Sequence, residues 1–186
     1  MKSEIKNSLA VLEEGGLLLY PTDTVWGIGC DATDENAVKR IYKLKQRADS
    51  KSLICLVDGI PMLKEYVSEI PSRVFEILKT TERPTTIIYR NPTGFASGLL
   101  AEDNSIGIRI THHPFCKELI RQFGKPLVSS SANQSGHPTP EIFSEIEPVI
   151  LNGVDYIVNL QRNKKSGKPS VIIRVHSDGS TEVIRE

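Results

Sequence analysis

"LLLYPTDTVWGIG", residues 17–29, sets a greasy run directly against a polar one. Leu17, Leu18, Leu19 and Tyr20 show no polar alternation, so they read as a short strand covered on both faces. Pro21 ends the run, and Thr22, Asp23, Thr24, the chain's single tryptophan Trp26, Gly27 and Gly29 follow within a few positions. Buried strands of this kind belong to layered α/β folds, in which ligands gather at strand ends where polar loops converge. Gly27 and Gly29 let backbone approach closely. Trp26 reads as a packing wedge, whereas Asp23 suits either capping or orienting the loop or touching a metal ion.

Outward from this stretch, strands and helices alternate. Ile5, Leu9 and Leu12 share a helical face that Gly15-Gly16 ends. Asp34 is a candidate N-cap for a helix carrying Val38, Ile41, Tyr42 and Leu44. "SLICLV" (52–57) reads as a strand buried on both faces. Residues 71–80 look helical, and 85–89 and 105–110 look like strands. "HPFCKELIRQFG" has Pro114 near its start and Gly124 past its end, the usual helix asymmetry. "PLVSS" and "DYIVNL" read as strands, and "SVIIRV" with "STEVIR" as a hairpin around Asp178-Gly179. No clean βαβ series emerges, so the expected fold is a twisted, mixed, open α/β sheet with helices, in one domain spanning residues 1–186.

The 186 residues suffice for one domain with a sizeable core. Lys and Arg together number 23 and so do Asp and Glu, so no global field draws the chain to nucleic acid or membrane, although a local basic cleft is compatible with that balance. No apolar run approaches the roughly 20 residues of a membrane span. Acidic residues come too early for a signal peptide, and Cys30, Cys55 and Cys116 have neither an even count nor a C-x-x-C spacing. The expectation is a cytoplasmic protein with buried thiols and no structural metal.

Three polar clusters sit beside apolar runs: the opening loop, "KLKQRADSKS" with Lys45, Arg47 and Lys51, and "VSSSANQSGHPTP" with Ser129, Ser131, Asn133 and Thr139. Lys45 and Arg47 do not share a helical face. They suit a solvated helix C-terminus or, if the chain extends there, an anion site with Arg as a planar fork and Lys as a point charge. The serine cluster suits a polar turn or a nest for phosphate or carboxylate. Neither a P-loop nor a complete G-x-G-x-x-G fingerprint is present. Hydroxyl- and cation-rich loops at strand ends together indicate a small, polar, anionic ligand.

In this order, "YPTDTVWGIGCDA", the Lys45-x-Arg47 pair, "SIGIRI" with Arg109, "GKPLVSSSANQSG" and "KPSVII" resemble the YrdC/Sua5 family of L-threonylcarbamoyladenylate synthases, across nearly the whole chain. The resemblance implies a YrdC/RibB-like twisted sheet with a concave cleft. It implies condensation of L-threonine, bicarbonate or CO2 and ATP into L-threonylcarbamoyl-AMP, with pyrophosphate released and Mg2+ accompanying the triphosphate. The product serves N6-threonylcarbamoyladenosine modification of tRNA, so tRNA itself or the downstream threonylcarbamoyl-transferase complex are further partners in view, and a membrane is not.

Carried over position by position, the resemblance gives Lys45 and Arg47 the catalytic place facing phosphate and carbamate. It puts Thr24, Arg109, Ser129 and Ser170 on threonine. Arg47, Lys51, Ser105, Ser131, Asn133, Thr139 and Arg185 fall to the nucleotide, and no residue to a metal. The chain departs from the family where a W-P-G-P-L-T segment is usual: "TERPTTII" keeps Pro84 and Thr86 but has Glu82-Arg83 in place of Pro-Gly. Lys51-Ser52 lacks the usual proline before the strand, and Leu56 stands where some longer relatives carry histidine. Two rivals stay open at this level, a YciO-like paralogue and a double-stranded-RNA-binding module. The balanced charge and the 6% aromatic content speak against the second.

Overall fold

The run at the start of the quoted stretch forms the expected strand, β1 (Leu18–Tyr20), buried along its whole length. The computed structural model describes residues 1–47, 53–176 and 178–186. Helix α1 (Lys2–Glu13) precedes β1 and turns Ile5, Ser8 and Leu12 inward. The first departure from expectation follows. Gly27–Gly29 is a strand, β2, paired antiparallel to β1 with Leu18 opposite Gly29 and Tyr20 opposite Gly27. Two glycines in three residues carry little strand propensity, so the sequence pattern hides it. Packing explains Gly29: a Cβ there would lie 2.3 Å from the Val128 carbonyl oxygen and 2.7 Å from the Tyr20 ring. The Tyr20 hydroxyl itself donates to Val128 O at 3.1 Å.

Helix α2 (Glu35–Lys45) starts as the sequence indicates, with the Asp34 carboxylate accepting from Asn36 N and Ala37 N. Gln46 closes it in the left-handed region at φ 48°. Strands β3 (Ile54–Val57), β4 (Thr85–Arg90), β5 (Ser105–Ile110), β6 (Leu127–Ser131), β7 (Tyr156–Ile157), β8 (Val171–Val175) and β9 (Thr181–Arg185) follow. Between them lie α3 (Ile60–Tyr66), α4 (Ser72–Thr80), α5 (Pro114–Phe123) and α6 (Pro148–Gly153). The spacing predicts α4 and α5. It misses α3 and α6, whose 7 and 6 residues are too few for an apolar period to stand out.

Among the described residues nine strands form one sheet in the order β7-β1-β2-β6-β3-β5-β4-β8-β9. The pairs β1–β7, β3–β5 and β4–β8 are parallel and the other neighbours antiparallel, which is the mixed open sheet expected. Directly paired residues share a face, and this register decides where the cleft lies. Ile54 pairs with both Ser129 and Gly107, Leu56 with Arg109, and Ile172 with both Thr86 and Arg185. Because Gly107 also pairs with Ile88, all of these side chains fall on one face. Gly107 keeps that face low: a Cβ would meet Thr86 Cγ2 at 3.1 Å and Ile54 Cγ2 at 3.3 Å. The alternate set, Cys55, Ile87, Ile108 and Val128, is buried core. Cys30, Cys55 and Cys116 are free and buried. No helix among the described residues is long and apolar enough to cross a membrane.

Candidate active site

The face set by that register carries a cleft of about 740 Å3, counted out to its open mouth. Residues distant in sequence meet in its lining. Thr24 comes from the opening loop, Arg47 from just beyond α2, and Arg109 from β5. Ser129 and Ser131 come from β6, Thr139 from the loop after it, and Ser170 and Arg185 from the β8–β9 end. Leu53, Ile54, Pro169 and Ile172 add apolar surface.

Lys45 and Arg47 separate, and Gln46 is the reason. Its left-handed backbone turns the chain between them. Arg47 lines the cleft, and burial lowers its pKa. Lys45 is 1% exposed and donates from Nζ to Ser131 O and to Asn133 O, the latter at 2.6 Å. It is therefore neither a solvated helix end nor a lining residue. It lies beneath the serine strand and ties that strand's end to α2, helped by Ser135 N donating to Lys45 O at 2.8 Å. Burial, with the Arg47 charge adding, pulls its ammonium down to about 8. Lys51 lies outside the described residues.

The serine cluster is a strand end with an ordered turn. Asn133, 8% exposed, donates from Nδ2 to Gln134 O at 2.9 Å and His137 O at 2.7 Å. Its Oδ1 is buried without a hydrogen-bond partner among the described residues. Asn133 thus shapes the turn that brings Thr139 to the cleft, and it is not itself in the lining.

The opening loop is bonded to itself and to its neighbours. Thr22 Oγ1 donates to Val25 O at 2.7 Å and accepts from Thr24 N at 3.0 Å, while Gly167 N donates to Thr24 O at 2.7 Å. Trp26 is a packing residue, 2% exposed, with its ring centroid 5.0 Å from that of Phe143. Arg109 is 2% exposed, with Nη2 at 3.0 Å from Asp23 Oδ1 and at 3.4 Å from Thr24 Oγ1. The Asp23 contact is an ion pair, and the carboxylate accepts a hydrogen bond from His112 N through Oδ2 at 3.3 Å. The carboxylate the sequence left between loop and metal is turned to an arginine.

At the other side, Ser170 is 1% exposed and its hydroxyl lies 2.9 Å from Thr86 Oγ1. Arg185 donates to Ser170 O from Nε at 3.1 Å and from Nη2 at 2.9 Å, and to Ser170 Oγ at 3.1 Å. Burial and then the Arg109 charge lower the Arg185 pKa. Thr86 is the member of this group that motif matching did not place in the site. Its link to Ser170 spans 84 positions and leaves no local signal. Ser105 is not brought in: it sits at the opposite end of β5 from Arg109, hydrogen-bonded to Asp103, and does not line the cleft.

The arrangement offers fixed cations, hydroxyls and a partly apolar floor, with no carboxylate among the described lining residues. Such a site suits a ligand bearing a carboxylate and phosphates. Comparison with known proteins agrees. A family model named Sua5_yciO_yrdC, described as "Telomere recombination", matches residues 10–186. A threonylcarbamoyl-AMP synthase of Hahella chejuensis is 36% identical over 171 residues, covering 90% of this chain and 91% of that protein. One from Pseudoalteromonas translucida is 34% identical over 161 residues, covering 85% of this chain and 86% of that protein. Among solved structures, P. abyssi Sua5 complexed with L-threonine matches at TM-score 0.87 and 25% identity, over 100% of this chain and 54% of that one. The chain thus spans about half the length of that Sua5 protein. E. coli YciO matches at the same TM-score and identity, over 90% of its length, so the fold alone does not separate the two branches. On the family model and these relatives, the chain belongs to the Sua5/YciO/YrdC family.

Proposed function

We propose that the cleft joins L-threonine, bicarbonate or CO2, and ATP into L-threonylcarbamoyl-AMP, releasing pyrophosphate. One observation carries this reading: buried Arg109 and half-buried Arg47 line the same cleft, with Thr24, Ser129 and Ser131 between the elements that supply them. The ligand it implies has one carboxylate and a separate set of phosphates. The named relatives at 34–36% identity support the synthase over the YciO-like alternative. The cytoplasm, where ATP and bicarbonate are both at hand, is the expected location.

The chemistry asks little covalent help of the protein. The threonine amine takes up CO2 and loses a proton, giving a carbamate. A carbamate oxygen attacks the α-phosphorus as the bond to the β-phosphate breaks. What remains for the protein is positioning, charge neutralisation and exclusion of water from a labile mixed anhydride. Arg109 would take the threonine carboxylate as a fork. Arg47 faces the reacting anions, with Arg185, Ser131 and Thr139 on the nucleotide side. Lys45 and Asn133 act from beneath by holding the carbonyls and turn that aim the serines. Among the described residues the lining has no carboxylate to hold a resident metal, and we assign Mg2+ to the ATP phosphates, as part of the substrate. Delivery of the product to a tRNA-modifying enzyme completes the reading, because the anhydride must be consumed promptly.

Incubation with threonine, bicarbonate and ATP, following pyrophosphate, tests it. Release that requires both threonine and bicarbonate is expected. Threonine-independent release, or none, overturns the reading.

A further inference from the structure

Arg109 presents a physical problem that its place in the cleft does not solve. A guanidinium 2% exposed cannot rely on water and needs a compensating charge. Asp23 Oδ1, at 3.0 Å from Nη2, supplies it as an ion pair, without hydrogen-bond geometry. Yet Asp23 does not line the cleft. It lines a second hollow on the far side of the 22–25 loop, with His112, His113, Lys164 and Gly167. The aspartate thus reaches the arginine from behind. The loop holding Asp23 is fixed by the Thr22 and Thr24 bonds and by Gly167, and Asp23 Oδ2 is held by His112 N. Asp23 therefore cannot follow the arginine outward. The guanidinium still has donors to give, since Arg109 Nε is buried with no hydrogen-bond partner among the described residues.

We propose that Asp23 is the positioning residue for Arg109: it anchors one edge of the guanidinium from behind the loop, leaving the other to the threonine carboxylate, and so sets threonine affinity without touching threonine. The threonine part rests on the proposed function. An arginine lacking this anchor would swing towards the phosphates of ATP, so the defect should appear in threonine use and not in nucleotide binding. The conservative change removes charge but keeps shape, and the truncation removes both.

The test measures threonine and ATP KM and kcat for the wild type, Asp23→Asn, Asp23→Ala and Arg109→Lys, and for the double variant Asp23→Asn/Arg109→Lys. Asp23→Asn is expected to raise threonine KM about tenfold, and Asp23→Ala further, with ATP KM and saturated kcat within about threefold. In the Arg109→Lys background, Asp23→Asn should add less than about twofold, because the planar fork whose second edge Asp23 aims is gone and a point charge has no edge to orient. An unchanged threonine KM overturns the proposal. So does a parallel rise in ATP KM, which would mark general loop collapse, or a full effect retained beside Lys at 109. If the wild type fails to use threonine, the synthase reading falls instead, and urea unfolding of Asp23→Asn, Arg109→Met and their double variant judges the pair by itself. The unfolding constants should then couple by about tenfold or more, and independence would overturn the anchoring.

Discussion

The β1–β2 hairpin and the β8–β9 hairpin both reach the cleft, but they are built differently. In the first, Thr22, Asp23 and Thr24 are all bonded within the protein, and both strands are buried throughout. In the second, β8 is half-buried and β9 exposed along its length, with Val183 54% and Ile184 48% exposed. Its tie to the cleft is the bonding of Arg185 to Ser170. The first wall holds its polar groups in place before any ligand arrives, so little ordering remains to be done on binding. The second lies at an open sheet edge and offers the cleft a long, half-solvated side chain, Arg185. On the proposed function, Arg109 of the sheet beside the fixed wall would take threonine and Arg185 of the adaptable wall would meet the nucleotide, with Ser170 between them on the threonine side.

Breaking the fixed wall should have the largest consequence. Arg109→Met removes the proposed partner of the threonine carboxylate and leaves Asp23, 12% exposed, without its cation. Threonine affinity should fall by the ~2–5 kcal/mol typical of truncating one partner of a desolvated pair. Isothermal titration with threonine reads this directly. Unchanged affinity would make Arg109 structural and move the recognition of threonine to the other wall.

The fixed wall extends to β6 through Lys45, and its titration gives the next effect. In the folded chain its pKa is about 8, against about 10.4 for an unperturbed lysine. Between these values the unfolded chain binds more protons, so the stability of the wild type rises with pH across this window. The cost of burying the charge is fully present below about 8. Relative to Lys45→Met, the wild type should gain up to ~3 kcal/mol on going from pH 7.5 to 10. Urea unfolding of the two proteins at both pH values measures it. A difference independent of pH would mean that the carbonyls of Ser131 and Asn133 fully compensate the burial of the ammonium.

How far the sequence reveals these walls depends on whether their signals are local. The apolar run at 17–20, the Asp34 cap and the 114–124 helix signature state their elements within a few residues, and the structure has them where the pattern puts them. The gathering of Thr24, Arg47, Arg109, Ser129 and Ser170 is readable only through family resemblance, because it arises from strand register across the sheet. Strand β2 is hidden by its glycines, which the packing of Tyr20 and Val128 demands. The separation of Lys45 from Arg47 is hidden by a single left-handed residue, Gln46, at which no glycine signals the turn. Asp23 is visible as a residue of the opening loop, but its partner lies 86 positions away on β5.

The smallest effect sharpens the contrast from the other side. Arg185→Ala removes three donor contacts to Ser170 and a charge whose neighbour in the cleft is Arg109. Because β9 is exposed, the lost contacts should lower stability by less than ~1 kcal/mol, as solvent screens such groups. Ser170 stays fixed through Thr86, both at or below 1% exposure, so the threonine side should be unaffected. The expected outcome is therefore a melting temperature within a few degrees of the wild type (about 2–4 °C per kcal/mol at this size), an unchanged threonine KM and a raised ATP KM. Calorimetry with two KM measurements decides it. A large loss of stability would show that the β8–β9 wall is as firmly built as its counterpart. A raised threonine KM would show that Arg185 reaches threonine through Ser170, and the division of labour between the two hairpins would fail.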